Sequence, residues 1–287
     1  MDLEHKAIER LQYAAEISAQ YYNAPLIVTY SGGKDSEVLL ELARRAEIDF
    51  EVQHNHTTAD APETVWHVRE KFKQLGADGI PCTINYPVYK GKRTSMWALI
   101  PQEGIPPTRL ARYCCAVLKE RNGKGRCIVT GVRWAEGIKR RKNRGILEAS
   151  RKNTFFDDNE ESRKEFEACP IKGTTTINPI IDWSDNDIWN FARSEHLQMN
   201  PLYQCGFNRV GCIGCPMAQQ KRRYFEFRRY PKYEQMYRRA FAHMLGSLDA
   251  KGRPHVWKTA DEVFRWWMDD KNIDGQIEFE GVKNHAE

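Results

Sequence analysis

A chain of 287 residues, 41% hydrophobic and 29% charged, has the make-up of an ordinary soluble protein and can bury one large domain, or one domain with a smaller appendage. No run approaches the roughly 20 apolar residues of a membrane span. The opening Met1-Asp2-Leu3-Glu4-His5-Lys6 lacks the apolar core of a secretory signal, so a cytoplasmic location without membrane contact is expected. A net charge of +5 allows an acidic partner without requiring one.

Residues 4 to 22 place Ile8, Leu11, Ala15 and Ala19 at helical spacing, and the chain opens on an amphipathic helix. Pro25 separates it from Leu26-Ile27-Val28-Thr29-Tyr30, which reads as a buried strand. Ser31-Gly32-Gly33-Lys34-Asp35-Ser36 follows, and Glu37 to Ala43 reads as a helix. Two adjacent glycines between strand and helix let the backbone turn sharply. They gather N–H groups at the positive end of the helix dipole, a site for phosphate. Lys34 adds a mobile cation, and Ser31 and Ser36 add hydroxyls. Asp35 would repel a lone phosphate and suits a helix start or a magnesium contact. The stretch is not a Walker A loop, because Val28 and Asp35 stand where that motif needs glycine and Ser or Thr. It resembles the pyrophosphate-binding loop of the ATP pyrophosphatases, which split ATP between its α- and β-phosphates.

Phe50 to His54 reads as a second strand running into a polar turn, Asn55 to Thr64. Val65 to Leu75 reads as a helix that stops at Gly76, Cys82 to Tyr86 as a third strand, and Arg126 to Gly131 as a fourth. This alternation predicts an α/β fold with a parallel sheet and helices on both faces. Ligands of such folds bind at the carboxyl ends of the strands, where the Ser31 loop, the His54 turn and the Gly131 turn would meet. Residues 139 to 170 are charged and read as a long loop, a lid or a solvated insertion. Order resumes at Ile177, and Ser184 with Asp187 forms a variant capping box at a helix start. From Met217 the chain reads as helices, including Glu262 to Met268. The expected division is an α/β domain over 1–216 and a helical, basic and aromatic region over 217–287.

Eight cysteines in a chain of this kind argue against a disulfide framework. Cys212-Ile213-Gly214-Cys215 is a CxxC pair that reads as a metal corner, a redox pair or neither. Gly211 and Gly214 allow a tight fold around an ion, and Pro216 follows. Adjacent Cys114 and Cys115 do not readily bond to each other. They complete a four-thiolate set suited to four irons or to zinc.

Arg112-Tyr113-Cys114-Cys115, Gly131-Val132-Arg133-Trp134-Ala135-Glu136, Asn178-Pro179-Ile180, Asp187-Ile188-Trp189, Pro201-Leu202-Tyr203 and Gly211-Cys212-Ile213-Gly214-Cys215-Pro216 stand in an order that resembles the phosphoadenosine phosphosulfate (PAPS) reductase family. That family lies within the adenine nucleotide α-hydrolase superfamily. The resemblance implies a Rossmann-like sheet with a helical C-terminal extension. It also implies an adenine nucleotide at Ser31, Gly32, Gly33, Lys34, Asp35 and Ser36, with Gly131 and Arg133 at its edge. As in the cluster-bearing adenylylsulfate reductases, it implies a [4Fe–4S] cluster on Cys114, Cys115, Cys212 and Cys215. Cys205 is an alternative to one of the adjacent pair, or a separate thiol. Cys82, Cys127 and Cys169 read as buried residues or bystanders.

Two features depart from the reductases. Those enzymes attack the sulfate sulfur with a cysteine near their C-terminus; no cysteine follows Cys215 here, which leaves Cys205 or Cys169 as the only substitutes. They also carry a degraded phosphate loop, whereas this one is whole. Both departures point to ATP cleavage, as in superfamily members that combine it with a cluster to insert sulfur into DNA or tRNA. Lys34 and Asp35 are then the expected catalytic residues, and Asp35 and Asp60 the contacts for Mg²⁺. His54 and His56 stand on the same edge. A sulfur donor protein and a nucleic acid are the expected partners. Lys221 to Arg239 interleaves basic residues with Tyr224, Phe225, Phe227, Tyr230, Tyr233 and Tyr237, a pattern for phosphates and bases or for an amphipathic helix pair with a solvated basic face. A genuine adenylylsulfate or phosphoadenylylsulfate reductase is the first alternative. A zinc-stapled nucleic-acid-binding module with a vestigial nucleotide site is the second.

Overall fold

The computed structural model describes residues 2–120, 123–149, 154–156 and 173–269. The described residues of 1–93 and 115–212 form one compact unit, and those of 94–114 and 213–287 the other. The sequence places its boundary after residue 216; the second unit begins slightly earlier and also takes in 94–114.

The first unit opens with α1 (Leu3–Tyr22), capped by the Asp2 carboxylate, which accepts from the Glu4 N–H at 3.2 Å. β1 (Leu26–Thr29), α2 (Lys34–Arg45), β2 (Phe50–Asn55), α3 (Pro62–Ala77) and β3 (Cys82–Asn85) follow. A short ribbon comes next, β4 (Val88–Tyr89) with β5 (Lys92–Arg93). After α4 (Met96–Glu103) and α5 (Tyr113–Leu118) come β6 (Cys127–Val129), α6 (Ile138–Asn143), β7 (Leu147–Ala149), β8 (Thr154–Phe156), β9 (Thr175–Ile177) and α7 (Asp185–Ser194).

Among the described residues the main sheet runs β3-β2-β1-β6-β9-β7-β8. The first five strands are parallel, and β7 and β8 are antiparallel additions at one edge. This is a mostly parallel, Rossmann-like sheet with flanking helices. The parallel sheet with flanking helices is the one the sequence predicts, and over 139–170 the sequence predicts a loop. The described part of that stretch instead supplies most of α6 and the β7–β8 hairpin. Its charged residues hide a strand pair that is fixed by its partner β9 rather than by its own apolar pattern. The rest of that stretch, with Cys169, lies outside the described residues.

Leu26, Ile27 and Val28 of β1 are all buried, the continuous apolar run expected of a central parallel strand. From β1 the chain winds outward through β2 to β3, then returns to β6 on the other side. The crevice at the carboxyl ends of β1 and β6 is therefore a topological switch point. α1 is tied down by Arg10, which is only 5% exposed. Its guanidinium donates to Asp182 at 2.8 and 3.1 Å and to the Pro179 carbonyl at 2.9 Å. Ser184 and Asp187 form the expected capping box of α7.

The second unit holds α4, α8 (Gln220–Arg229), α9 (Pro231–Ala250) and α10 (Ala260–Asp269). Its core is aromatic: Tyr237 packs on Trp267 with centroids 4.6 Å apart, and on Trp97 at 4.8 Å. This changes the reading of the basic, aromatic segment. Phe227 and Tyr237 are buried, and Arg223 is fully buried with its guanidinium 4.2 Å from the Trp267 ring centroid. Arg222 pairs with Glu226, and Arg238 with Glu234 and Asp261. Lys221, Tyr224, Phe225, Arg228 and Arg229 remain exposed. No helix of the described residues is long and apolar enough to cross a membrane.

Replacing Arg10 by alanine leaves Asp182 without its buried partner and should cost about 3 kcal/mol of stability. Urea unfolding at neutral pH reads this directly, and a loss under about 1 kcal/mol would mean the pair is no more than a surface contact.

Candidate nucleotide site

Gly33 caps α2, so Lys34, Asp35 and Ser36 form its first turn rather than a loop before it. Gly32 has φ +74°, and a Cβ there would lie 3.1 Å from Val68 Cγ2 and 3.3 Å from Thr64 Cγ2. Only glycine meets both demands. The Asn200 amide donates to the Gly32 carbonyl at 3.0 Å and to Thr64 Oγ1 at 3.1 Å. Ser36 Oγ donates to the Gly33 carbonyl at 2.8 Å and accepts from the Gly33 N–H at 3.2 Å. The Lys34 N–H donates to the Tyr203 hydroxyl at 2.8 Å. A phenol oxygen thus sits at the helix N-terminus, where a phosphate oxygen would be received. Burial pushes the Tyr203 hydroxyl up to about 12, against the opposing pull of that N–H.

Behind the loop is a buried set that the sequence does not announce. Glu37 accepts from the Tyr30 hydroxyl and contacts His67 Nε2, with Lys71 Nζ 3.4 Å away. Glu37, Tyr30 and His67 are all buried.

On the loop's other flank lies a four-residue ionic cluster. Arg133, 1% exposed, donates to Asp35 Oδ1 at 2.6 Å, Asp185 Oδ1 at 2.7 Å and the Trp183 carbonyl at 3.1 Å. Lys34 Nζ lies 3.1 Å from Asp35 Oδ1 and 3.1 Å from Asp185 Oδ1. Burial pushes the Asp185 carboxyl up, but Arg133 and Lys34 outweigh it and hold the group below the usual carboxylate range. Burial likewise weakens Arg133's hold on its proton, and Asp35 and Asp185 more than restore it. Asp185 escapes the sequence reading because an acidic residue in the first turn of a helix is ordinary there.

A cavity of about 280 Å³ opens over these groups. Ser31, Gly33, Lys34, Asp35 and Ser36 line it from the loop, His54 and Asp60 from β2 and its turn, and Gly131 from the end of β6. Gly32 shapes the turn without lining the cavity, and Arg133 lies behind the wall. Glu136, Arg140, Tyr203 and Arg209 also line the cavity. The sequence marks Glu136 and Tyr203 only as members of longer motifs and does not single out the two arginines. The Asp35 carboxylate, an expected magnesium contact, is held here by Arg133 and Lys34.

Of the four expected cluster cysteines, Cys115 and Cys212 belong to the first unit, Cys114 and Cys215 to the second. Cys212 is buried, and its backbone forms an isolated bridge with Asp60. Its sulfur lies 3.4 Å from Thr57 Oγ1. In the second unit Gly214 has φ +71° and donates its N–H to Glu226 at 2.8 Å. A Cβ on Gly214 would lie 2.5 Å from Phe227 Cζ and 3.0 Å from Tyr237 Cε2. The turn leading to Cys215 is thereby built for glycine alone. Cys205 ends a 3-10 turn, Pro201–Cys205, in the first unit. Burial pushes the Cys82 and Cys127 thiols up to about 11 and about 12, which suits inert residues.

Two substitutions test these arrangements. Gly214→Ala should cost about 2 kcal/mol or more and lower the melting temperature by roughly 4–8 °C, read by calorimetry. Asp185→Asn frees Lys34 and Arg133 from one competing carboxylate and should tighten inorganic pyrophosphate binding roughly five-fold, read by calorimetric titration. Because the Asp185 carboxyl is depressed in the fold, its stabilising effect is present above the unfolded value of about 3.9. It is lost as pH falls through the folded value. The difference in melting temperature between wild type and Asp185→Asn should therefore be full at pH 6 and shrink on acidification below pH 4; a constant difference would contradict the ion pairing.

Residues 25–218 match the Phosphoadenosine phosphosulfate reductase domain. The chain is 30% identical over 218 residues to Uncharacterized protein MJ0973 of Methanocaldococcus jannaschii, covering 74% of this chain and 48% of that protein. It spans about half the length of that relative. It is 23% identical over 193 residues to the adenosine 5'-phosphosulfate reductase of Allochromatium vinosum, covering 67% of this chain and 68% of that one. Among solved structures, the phosphoadenylyl-sulfate (PAPS) reductase from Candida auris in its phosphate complex aligns with a TM-score of 0.45 at 15% identity, over 71% of this chain and 93% of that one. With more than half of its length matched by the family's domain, the chain belongs to the phosphoadenosine phosphosulfate reductase family.

Proposed function

We propose that the chain is an ATP pyrophosphatase-type enzyme that cleaves ATP between the α- and β-phosphates and couples adenylation to sulfur transfer. The observation that supports this most is the anion cradle. The Gly32–Gly33 turn, the N-terminus of α2 and Lys34 meet at one cavity and suit a pyrophosphate that takes the place of Tyr203 at the Lys34 N–H. An acceptor oxygen would attack the α-phosphorus while the bond to the bridging oxygen breaks. The electron pair would leave with pyrophosphate, whose charge Lys34 and the α2 N-terminus meet. Asp35 would act on Lys34, holding its ammonium group beside Arg133 and over the loop. A sulfur nucleophile would then displace AMP. The acceptor proposed is a nucleic acid, for which the exposed Lys221, Tyr224, Phe225, Arg228 and Arg229 offer basic and aromatic contacts. A sulfur donor protein would supply the sulfur.

Cys114, Cys115, Cys212 and Cys215 fit a [4Fe–4S] cluster by donor chemistry, since four thiolates are the usual ligand set. When bound, the cluster would supply electrons or hold sulfur for transfer. Magnesium would arrive on the nucleotide's own phosphates, because Asp35 is committed to Arg133 and Lys34.

The similarity to an adenosine 5'-phosphosulfate reductase favours a second reading, reduction of adenylylsulfate to sulfite. One assay separates the two. Anaerobically purified protein should release pyrophosphate from ATP, and Lys34→Ala should slow this by roughly 100-fold or more. Cys212→Ser should lose the brown chromophore of the cluster. Sulfite formation from adenylylsulfate and thioredoxin, without pyrophosphate release from ATP, would replace the first reading by the second.

A further inference from the structure

The end of β2 and the turn after it carry groups that the proposed reaction leaves unused. His54 lies in β2 and His56 just past its end, and their rings stand on one side with centroids 6.4 Å apart. The turn brings Asp60 back to them, and its backbone bridge to Cys212 fixes that return. One ligand atom from each of His54, His56 and Asp60 lies within 4.8 Å of the other two.

The hydrogen bonds around these residues define their donor atoms. His54 is 4% exposed, and its Nδ1 lies 2.9 Å from the Tyr30 carbonyl oxygen. A carbonyl only accepts, so Nδ1 carries the proton and Nε2 keeps its lone pair. A metal-binding imidazole is commonly held in this way, with its other N–H anchored on the backbone. Asp60 Oδ2 accepts from the Thr57 N–H at 3.0 Å, which orients the carboxylate. His56 Nδ1 lies 3.9 Å from that oxygen, and its ring is only partly buried, edge-on to Tyr86. An ion held at about 2.1 Å needs its donors roughly 3–4 Å apart, and the His56–Asp60 pair already stands in that range.

We propose that His54, His56 and Asp60 form a binding site for a divalent transition cation of the iron, cobalt or zinc class. Two imidazoles and one carboxylate suit these ions, whereas Mg²⁺ takes oxygen ligands and keeps its water. Asp60, expected from the sequence as a magnesium contact, is thereby assigned to a different kind of ion. Three protein ligands leave coordination positions open, as in catalytic rather than structural sites. The bound ion keeps a net positive charge, and His54 and Asp60 line the cavity that also holds the phosphate loop. A phosphoryl oxygen in that cavity is the natural further ligand. Only this last link rests on the nucleotide reading.

The test is cobalt(II) titration of the whole chain, treated with chelator and kept free of nucleotide. The expected result includes, distinct from any cobalt on the cysteine thiolates, one Co²⁺ with nitrogen and oxygen ligation. It should give two hyperfine-shifted imidazole N–H proton resonances, the His54 one slow to exchange because its N–H is buried against Tyr30. His56→Ala should lose one resonance and weaken binding by roughly 100-fold. Lys34→Ala should keep the cobalt site even where it abolishes nucleotide turnover, so failure of the nucleotide reading leaves this result intact. Cobalt absorption made up of thiolate charge transfer alone, with no shifted imidazole protons in the wild type, would overturn the proposal. So would unchanged affinity in both His56→Ala and Asp60→Asn. The wild-type resonances decide the matter even if a variant fails to fold.

Discussion

A guanidinium that cannot shed its proton, buried at Arg133, is the constraint on which the nucleotide site turns. Removing such a charge from water costs several kcal/mol, and the cost is tolerable only when every donor meets a well-placed acceptor. Here the acceptors are Asp35 at the start of α2, and Asp185 and the Trp183 carbonyl at the start of α7. The connection after β6 and the first turns of two helices are thereby locked together. Lysine could not take this place, because its point charge lacks the planar fork that reaches several acceptors at once.

The loop has a second support on its other side. The Tyr30, Glu37, His67 and Lys71 set ties β1 and α2 to α3 beneath the double glycine. With one ionic layer behind the loop and another beside it, the start of α2 is held in place before any ligand arrives. In the proposed reaction such a preset helix start would serve the leaving pyrophosphate.

The local parts of this arrangement were legible in the sequence. β1, the Gly-Gly turn, α2 and the capping box of α7 each follow from residues a few positions apart. The shared edge of the Ser31, His54 and Gly131 turns follows from strand alternation. What escaped depends on long-range pairing. Asp185 and Tyr203 reach Lys34 only in the folded chain, across more than a hundred residues, and each looks ordinary in its own segment. The β7–β8 pair escaped because its strands are three residues each within a charged stretch, and β9 rather than apolar alternation defines β7. The basic, aromatic segment forms the amphipathic helix pair that is one of its two readings, and which residues face inward, Arg223, Phe227 and Tyr237, depends on packing within the second unit.

Tyr203 gives the cradle a threshold. Its hydroxyl already satisfies the Lys34 N–H, so an incoming anion gains nothing from that donor until it displaces the phenol. Asp185 imposes the same competition for the Lys34 ammonium. A small anion that offers one oxygen merely exchanges one partner for another. A polyphosphate chain that spans the loop and Lys34 displaces both at once and keeps the surplus. Under the proposed reading, the site would thus select its ligand by competition with Tyr203 and Asp185 rather than by the width of the opening.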